Sequence, residues 1–299
     1  MAMLKVVTLV LLSIFSADAL QAQLRRFYSL QNPNSYDSVD FTLKATSGIS
    51  FFRHVNGGNP LNIFGNPDLD RINPSFEIDV VNRTCQVNLN LSEFRKSVVG
   101  DGLVYAMMSS KEEDEENYWK FLLNDQKVYN LNLNYGIGSS DIDLSGTHVS
   151  GLQITTGSAD VTVNYRGGET NLSEMDTFMI KVDLGSIIAH DLERSRARNL
   201  IAEIGFGQAV LDFRNPVEKS CNVKATVGAG KLEVLLPINS PVIIHMKESP
   251  LCNITMAEGY EEMEKGVYVN MLYAADALNL LTFDIEVSMG VISFANAED

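Results

Sequence analysis

Apolar and polar residues alternate with a period of two over most of the second half of the chain, and the alternation breaks at regularly spaced glycines. In Asn130–Tyr135, Leu131, Leu133 and Tyr135 fall on one face of an extended strand and Asn132 and Asn134 on the other. A turn at Gly136 and Gly138 follows, and Ile142 and Leu144 then resume the apolar face. Glycine at such a break supplies the positive φ that reverses a chain, and this is the expected reason for the pair. The unit recurs. Leu200–Phe213 superimposes on Leu131–Leu144 without a gap, and Val223–Val234 repeats it around Gly228 and Gly230. Weaker copies surround Gly185 and Gly290. The turn glycines Gly136, Gly157, Gly185, Gly205 and Gly228 lie about 20 to 28 residues apart, a spacing that predicts stacked coils sharing one core. The expected fold is all-β, a right-handed β-solenoid of about five to seven coils. Leu131, Leu133, Ile142, Leu144, Leu152, Ile154, Val161, Val163, Leu200, Val223 and Leu232 should point inward.

Ahead of this array, Val39–Lys44, Phe76–Val81 and Cys85–Leu91 also alternate like strands. The stretch from Asn56 to Pro74, rich in Gly, Pro and Asn, reads as a long loop. Residues 23–125 therefore form a β-rich region that either pairs with the first coil or covers its open end, and residues 126–299 form the solenoid. Trp119–Leu123 leads into it. The segment Asp191–Asn199 gathers Arg194, Arg196 and Arg198 and reads as an outer loop or short helix; an anionic contact is the other reading. Lys111–Glu116 and Glu258–Lys265 read as acidic, solvated loops.

Residues 1–22 change the picture of where the chain works. Lys5, an apolar run from Val6 to Phe15 and Ala17-Asp18-Ala19 have the layout of a secretory signal peptide, with cleavage near Ala19 or Ala22. The apolar run is too short to span a bilayer, so the processed chain is expected in the periplasm or at the cell surface, with no transmembrane span. A net charge of −15 speaks against nucleic-acid phosphates and anionic lipid as partners. Three cysteines are too few for a disulfide scaffold. Cys221 and Cys252 make a candidate bridge, and Cys85 is expected as a buried free thiol.

Chemistry is hard to find. Gly228-Ala-Gly-Lys231 has Ala225 where a phosphate loop needs its first glycine, and strand residues follow it. Gly136-x-Gly138-x-x-Asp141 is half a dinucleotide fingerprint. As a calcium-roll turn it lacks the tandem nine-residue copies, so Asp141, Asp143 and Asp160 read as turn and strand residues. The four histidines stand singly. No catalytic residue, metal ligand or cofactor is indicated. Rows of amide and hydroxyl groups on a rigid sheet suit multivalent contact, and Asn132, Asn134, Gln153 and Thr155 are the candidate partner face, extended by Lys181, Asp183 and Lys224.

Trp119-Lys-Phe-Leu-Leu, Leu131-Asn-Leu-Asn-Tyr-Gly-Ile-Gly, Ile142-Asp-Leu-Ser-Gly and Leu152-Gln-Ile-Thr-Thr-Gly-Ser-Ala-Asp-Val resemble the toast-rack and LiaF-like group of bacterial envelope proteins. Leu235-Leu-Pro, Gly266-Val-Tyr-Val-Asn and Ile285-Glu-Val-Ser-Met-Gly-Val-Ile-Ser-Phe resemble the end of the same domain, so the likeness runs over about residues 115–296. The resemblance implies an adhesin-like protein of right-handed β-helical coils, with some members tied to the response to cell-wall-active antibiotics. It transfers no catalytic residues. Members usually carry transmembrane helices ahead of the β domain, and this chain has an apolar leader and a β region there. The function expected is a non-catalytic adhesin or scaffold binding an envelope protein or glycan. The alternatives are a modulator of envelope stress signalling and a carbohydrate-active β-helix enzyme.

Overall fold

The computed structural model describes residues 26–67, 72–93, 118–247 and 249–297. The signal-like segment 1–22 and the acidic run 111–116 lie outside the described residues. The N-terminal third holds β1 (Arg26–Ser29), β2 (Ser38–Ala45), β3 (Ile49–His54), β4 (Leu61–Asn66), β5 (Ile72–Val81), β6 (Thr84–Glu93) and β7 (Tyr118–Leu123). The middle holds β8 (Val128–Tyr135), β9 (Ser139–Asp143), β10 (Val149–Thr156), β11 (Asp160–Asn164), β12 (Met175–Val182) and β13 (Ser186–Ala189). It continues with β14 (Ala197–Ile204), β15 (Gln208–Asp212), β16 (Cys221–Val227) and β17 (Lys231–Leu236). The C-terminal part adds β18 (Val242–Lys247), β19 (Asn253–Thr255), β20 (Tyr260–Glu264), β21 (Val267–Asn270), β22 (Leu281–Val287) and β23 (Val291–Asn296). Among the described residues the helical segments are three short 3-10 turns, and no helix is long and apolar enough to cross a membrane.

Two sheets, one of twelve strands and one of eleven, face each other across a single core. Each coil gives one strand to each sheet. In the middle, β8, β10, β12, β14 and β16 follow one another in parallel in the twelve-stranded sheet, and β9, β11, β13, β15 and β17 do so in the other. The register aligns like with like. Phe41, Leu131, Leu152, Phe178, Leu200, Val223 and Phe283 form one continuous inward row. All eleven residues expected inward are at most 2% exposed. Unshared coils would leave these faces wet; stacking removes them from water together.

At both ends the stacking order departs from the chain order. β2 and β3 form a coil that is inserted between β8/β9 and the outer pair β6/β7. β22 and β23 likewise slot between β16/β17 and the outer pair β18/β19. Each inserted coil carries two buried phenylalanines: Phe41 and Phe52 pack with each other and with Phe121, and Phe283 packs with Phe213 and Phe294. Antiparallel strands β1, β4 and β5 close one end and the β20–β21 hairpin the other.

Several expectations need correction. The stretch Asn56–Pro74 is not one loop, because β4 occupies Leu61–Asn66 and β5 starts at Ile72. Leu61 and Ile63 are fully buried, which outweighs the turn-forming composition, and Pro74 is tolerated because β5 is an edge strand. Gly65 has a packing reason: a Cβ there would lie 2.4 Å from the Trp119 ring. The acidic stretch Glu258–Lys265 contains β20, held against β21 through a turn at Gly266. The coil glycines are explained differently too. Of Gly136, Gly138, Gly157, Gly185, Gly205, Gly207, Gly228, Gly230 and Gly290, only Gly138 has a left-handed φ. The other reason is proximity: a Cβ on Gly207 would sit 2.3 Å from the Gly185 carbonyl oxygen, one coil away. All three cysteines are free thiols. Cys221 starts β16, level with Val242, whereas Cys252 lies beyond the six-residue β18, about 20 Å further along the coil.

Candidate functional site

The four residues chosen from the sequence meet on the outer face of the twelve-stranded sheet. Asn132 and Asn134 on β8 stand beside Gln153 and Thr155 on β10, in register and half-buried. Alternation puts them outward because Leu131, Leu133, Leu152 and Ile154 take the inside. The Asn134 amide donates to Asn132 Oδ1 at 3.0 Å and to the Leu43 carbonyl at 3.3 Å, so these side chains are braced and preset. Their rows continue in both directions. Thr42, Asn132, Gln153, Met179, Ile201 and Lys224 make one; Lys44, Asn134, Thr155, Lys181 and Glu203 make the other. Asp183 lies past the end of β12, in the turn.

The neighbouring row, Asp40, Asn130, Gly151, Thr177 and Asn199, has a gap in it. Gly151 carries no side chain, and a register shift between Val149 and Gly151 bulges the strand at Ser150. The result is an open depression of about 430 Å³ beside Gln153, lined by Asp40, Asn130, Asp176, Thr177, Leu152 and Met179. Carboxylates, amides and a hydroxyl share the lining with apolar groups. Such a lining can exchange hydrogen bonds with hydroxyl or amide groups of a polymer lying across the sheet. Sequence reading found the flanking rows and missed the notch; its one signal was a glycine inside an alternating strand.

The ionisable groups elsewhere are mostly occupied by one another. Asp141 accepts from Arg53 at 2.8 Å, Arg166 at 2.7 Å and Asn164 at 2.9 Å. Burial pushes its pKa up, but those hydrogen bonds outweigh burial and hold the carboxyl below its usual range. Arg194, Arg196 and Arg198 tie adjacent coils together, to the Gly168 carbonyl, the Leu172 carbonyl and Glu174. Glu174 also pairs with Lys219, and the two partners bring its pKa down to about 2. At the end of β15 Asp212 is fully buried and takes hydrogen bonds from Arg214 at 3.1 Å, with His190 Nδ1 at the same distance. Glu193 is 93% covered, and burial drives its pKa up. Glu174 and Glu193 border one small cleft of about 30 Å³, space for a single water and not for a sugar ring. Among the described residues no group of three or more His, Cys, Asp or Glu is placed to hold a metal ion.

An all-β stack of parallel coils with a polar outer face defines the class of protein. Residues 104–185 match the model of the N-terminal domain of toast_rack (DUF2154). No curated protein matches the chain. Among solved structures, a candidate cell adhesion protein from Clostridium sporogenes is 15% identical, with a TM-score of 0.45 over 91% of this chain and 98% of that one. A candidate lipid binding protein from Parabacteroides distasonis is 10% identical, at a TM-score of 0.33 over 92% and 97% of the two chains. A candidate adhesin from Bacteroides fragilis is 14% identical, at 0.27 over 91% and 96%. At these scores the likenesses say nothing of function.

Proposed function

We propose that this chain is a non-catalytic binding protein of the bacterial cell envelope, an adhesin or scaffold that holds a glycan or protein partner on the outer face of its twelve-stranded sheet. Asn132, Asn134, Gln153 and Thr155 supply the contacts, and the coils wind right-handed, the usual hand of parallel strand connections. Residues 1–22 direct export and are removed near Ala19 or Ala22, leaving the chain in the periplasm or at the surface. The region 23–125 extends the solenoid domain of 126–299 and caps it.

One observation carries the reading: the notch at Gly151 lies against the braced amide rows, giving the polar sheet a place where a polymer can be gripped. A shallow open depression of that kind favours repeated weak contacts over turnover, which needs a drier and more enclosed pocket. The match to the toast-rack family supports an envelope setting.

The experiment is a sedimentation assay of the purified, exported protein with isolated peptidoglycan sacculi and with envelope extracts. Changing Asn132, Asn134, Gln153 and Thr155 together to alternating Ala and Glu should abolish co-sedimentation without lowering Tm. Retained binding by that variant removes the face from the proposal, and release of soluble sugar fragments removes the non-catalytic reading.

A further inference from the structure

The turns that carry the chain from the twelve-stranded to the eleven-stranded sheet stack one above another, and their central residues form a line. The register places Ser158, Leu184, Phe206, Ala229 and Met289 level with Ile137 on successive coils. Backbone hydrogen bonds repeat the same step, from the Leu184 amide to the Gly157 carbonyl, Phe206 to Asp183, Ala229 to Gly205 and Met289 to Gly228. Leu251, two residues before Asn253, continues the line beside Met289. Five consecutive positions, Leu184, Phe206, Ala229, Met289 and Leu251, are therefore apolar.

These side chains do not fold back onto the core. Leu184 is 65% exposed, Phe206 74%, Met289 58% and Leu251 72%, and Ile137 beyond them is 54% exposed. An isolated exposed leucine needs no explanation, but a continuous edge of large ones marks an interaction surface. The close glycine contacts below this edge keep each turn tight and its central side chain pointing outward.

The shape of the edge selects the partner. With coils about 4.8 Å apart, the line is about 20 Å long and one side chain wide, on the order of 200 Å². A stable protein dimer needs roughly 800 Å² from each partner, so a second copy seated on this edge would be held weakly. A convex ridge fits a deformable phase better than a preformed protein surface, since each side chain sinks in independently. Its flanks suit a neutral surface. Lys181 lies 3.7 Å from Glu203, Lys231 2.8 Å from Glu233 and Lys247 3.0 Å from Glu286, so most of the charge beside the ridge is paired, and Asp183 next to Leu184 adds a carboxylate rather than a cation. An anionic surface would repel the chain's net charge of −15.

We infer that the ridge Leu184–Phe206–Ala229–Met289–Leu251 rests in the interface of a zwitterionic lipid bilayer and holds the solenoid edge-on to the membrane. Its geometry is that of an interfacial anchor: apolar side chains at headgroup depth with no spanning element. The polar face carrying Asn132 and Gln153 then stands roughly perpendicular to the bilayer, open to a partner.

The test is co-flotation of the purified, exported protein with phosphatidylcholine vesicles. The double change Leu184→Gln and Phe206→Gln should lower partitioning at least about tenfold, because both sites are exposed and folding does not depend on them. Phe206→Trp should keep partitioning and give an emission that shifts to the blue when vesicles are added; the chain's other tryptophan, Trp119, is buried and constant. Leu278 is 88% exposed ahead of β22, at the opposite end of that strand from Met289, so Leu278→Gln should change nothing. Four results would overturn the inference: unchanged flotation of the double variant, an equal loss with Leu278→Gln, stronger binding when phosphatidylglycerol is added, or a dimer that only the ridge variants dissociate.

Discussion

The middle coils and the two ends of the stack are built by different rules. From β8 to β17 each coil lies on the one before it in the chain, and the inward rows are mainly aliphatic. At the ends the chain lays down an outer coil out of turn and fits another beneath it. The inserted coils, β2/β3 and β22/β23, are also the ones that carry paired phenylalanines. A solenoid laid down strictly in order can fray from its ends, because the last coil has a neighbour on one side only. Insertion changes this. The outer pair β6/β7 cannot leave without exposing the aromatic coil under it, and that coil is joined to the outer pair through the chain. The terminal coils are tied to the interior by covalent crossovers as well as by packing.

The most severe test of that contrast uses one inward row. Leu89 of the outer coil, Leu43 of the inserted coil and Leu133 of the middle share it, and all are buried. Leu133→Ala should cost about 2–5 kcal/mol. If the ends are locked, Leu89→Ala should cost about the same in denaturant unfolding, with an unchanged m-value. A cost below about 1 kcal/mol for Leu89→Ala alone would mean that the outer coil frays.

A smaller effect is expected within the middle. Gly207→Ala forces a Cβ to within 2.3 Å of a carbonyl on the next coil and should lose about 1–3 kcal/mol, read as a fall in Tm. Smaller again is Glu193→Gln. Burial raises the Glu193 pKa above its unfolded value of 4.5, so the folded state holds the proton longer than the unfolded one. Wild type and variant should have equal Tm below about pH 4, where the carboxyl is neutral in both states. As pH rises through the raised value the wild type must ionise a covered carboxylate, and the variant should become the more stable by about 1 kcal/mol. The smallest change is Asn132→Ala on the outer face, within about 0.5 kcal/mol by thermal melting. A larger loss there would put the register one residue out.

The coils, their inward residues and the polar rows were legible because alternation and glycine spacing are local properties. Stacking order was not. Every coil has the same period, so nothing in Leu281–Phe294 tells the chain to settle beneath Val242–Lys247 and not outside it. Leu61–Asn66 was concealed by its Asn and Gly content, whose cost as a strand is offset by burial of Leu61 and Ile63 and by the Trp119 ring lying on Gly65. The coil glycines were visible, but the carbonyl that excludes their Cβ belongs to another coil and lies some twenty residues away. The notch had one letter of signal, Gly151, and its walls come from strands far apart in sequence.

Filling that notch tests the functional reading most directly. A side chain at position 151 meets only the movable Asn130 amide, 2.6 Å from the new Cβ, so Gly151→Gln should fold with little change in Tm. Affinity for sacculi or for the partner recovered from envelope extracts, measured by equilibrium sedimentation with wild type alongside, should fall at least about tenfold. Full affinity in the filled variant, with the same Tm, would contradict the account and move the binding site off this face.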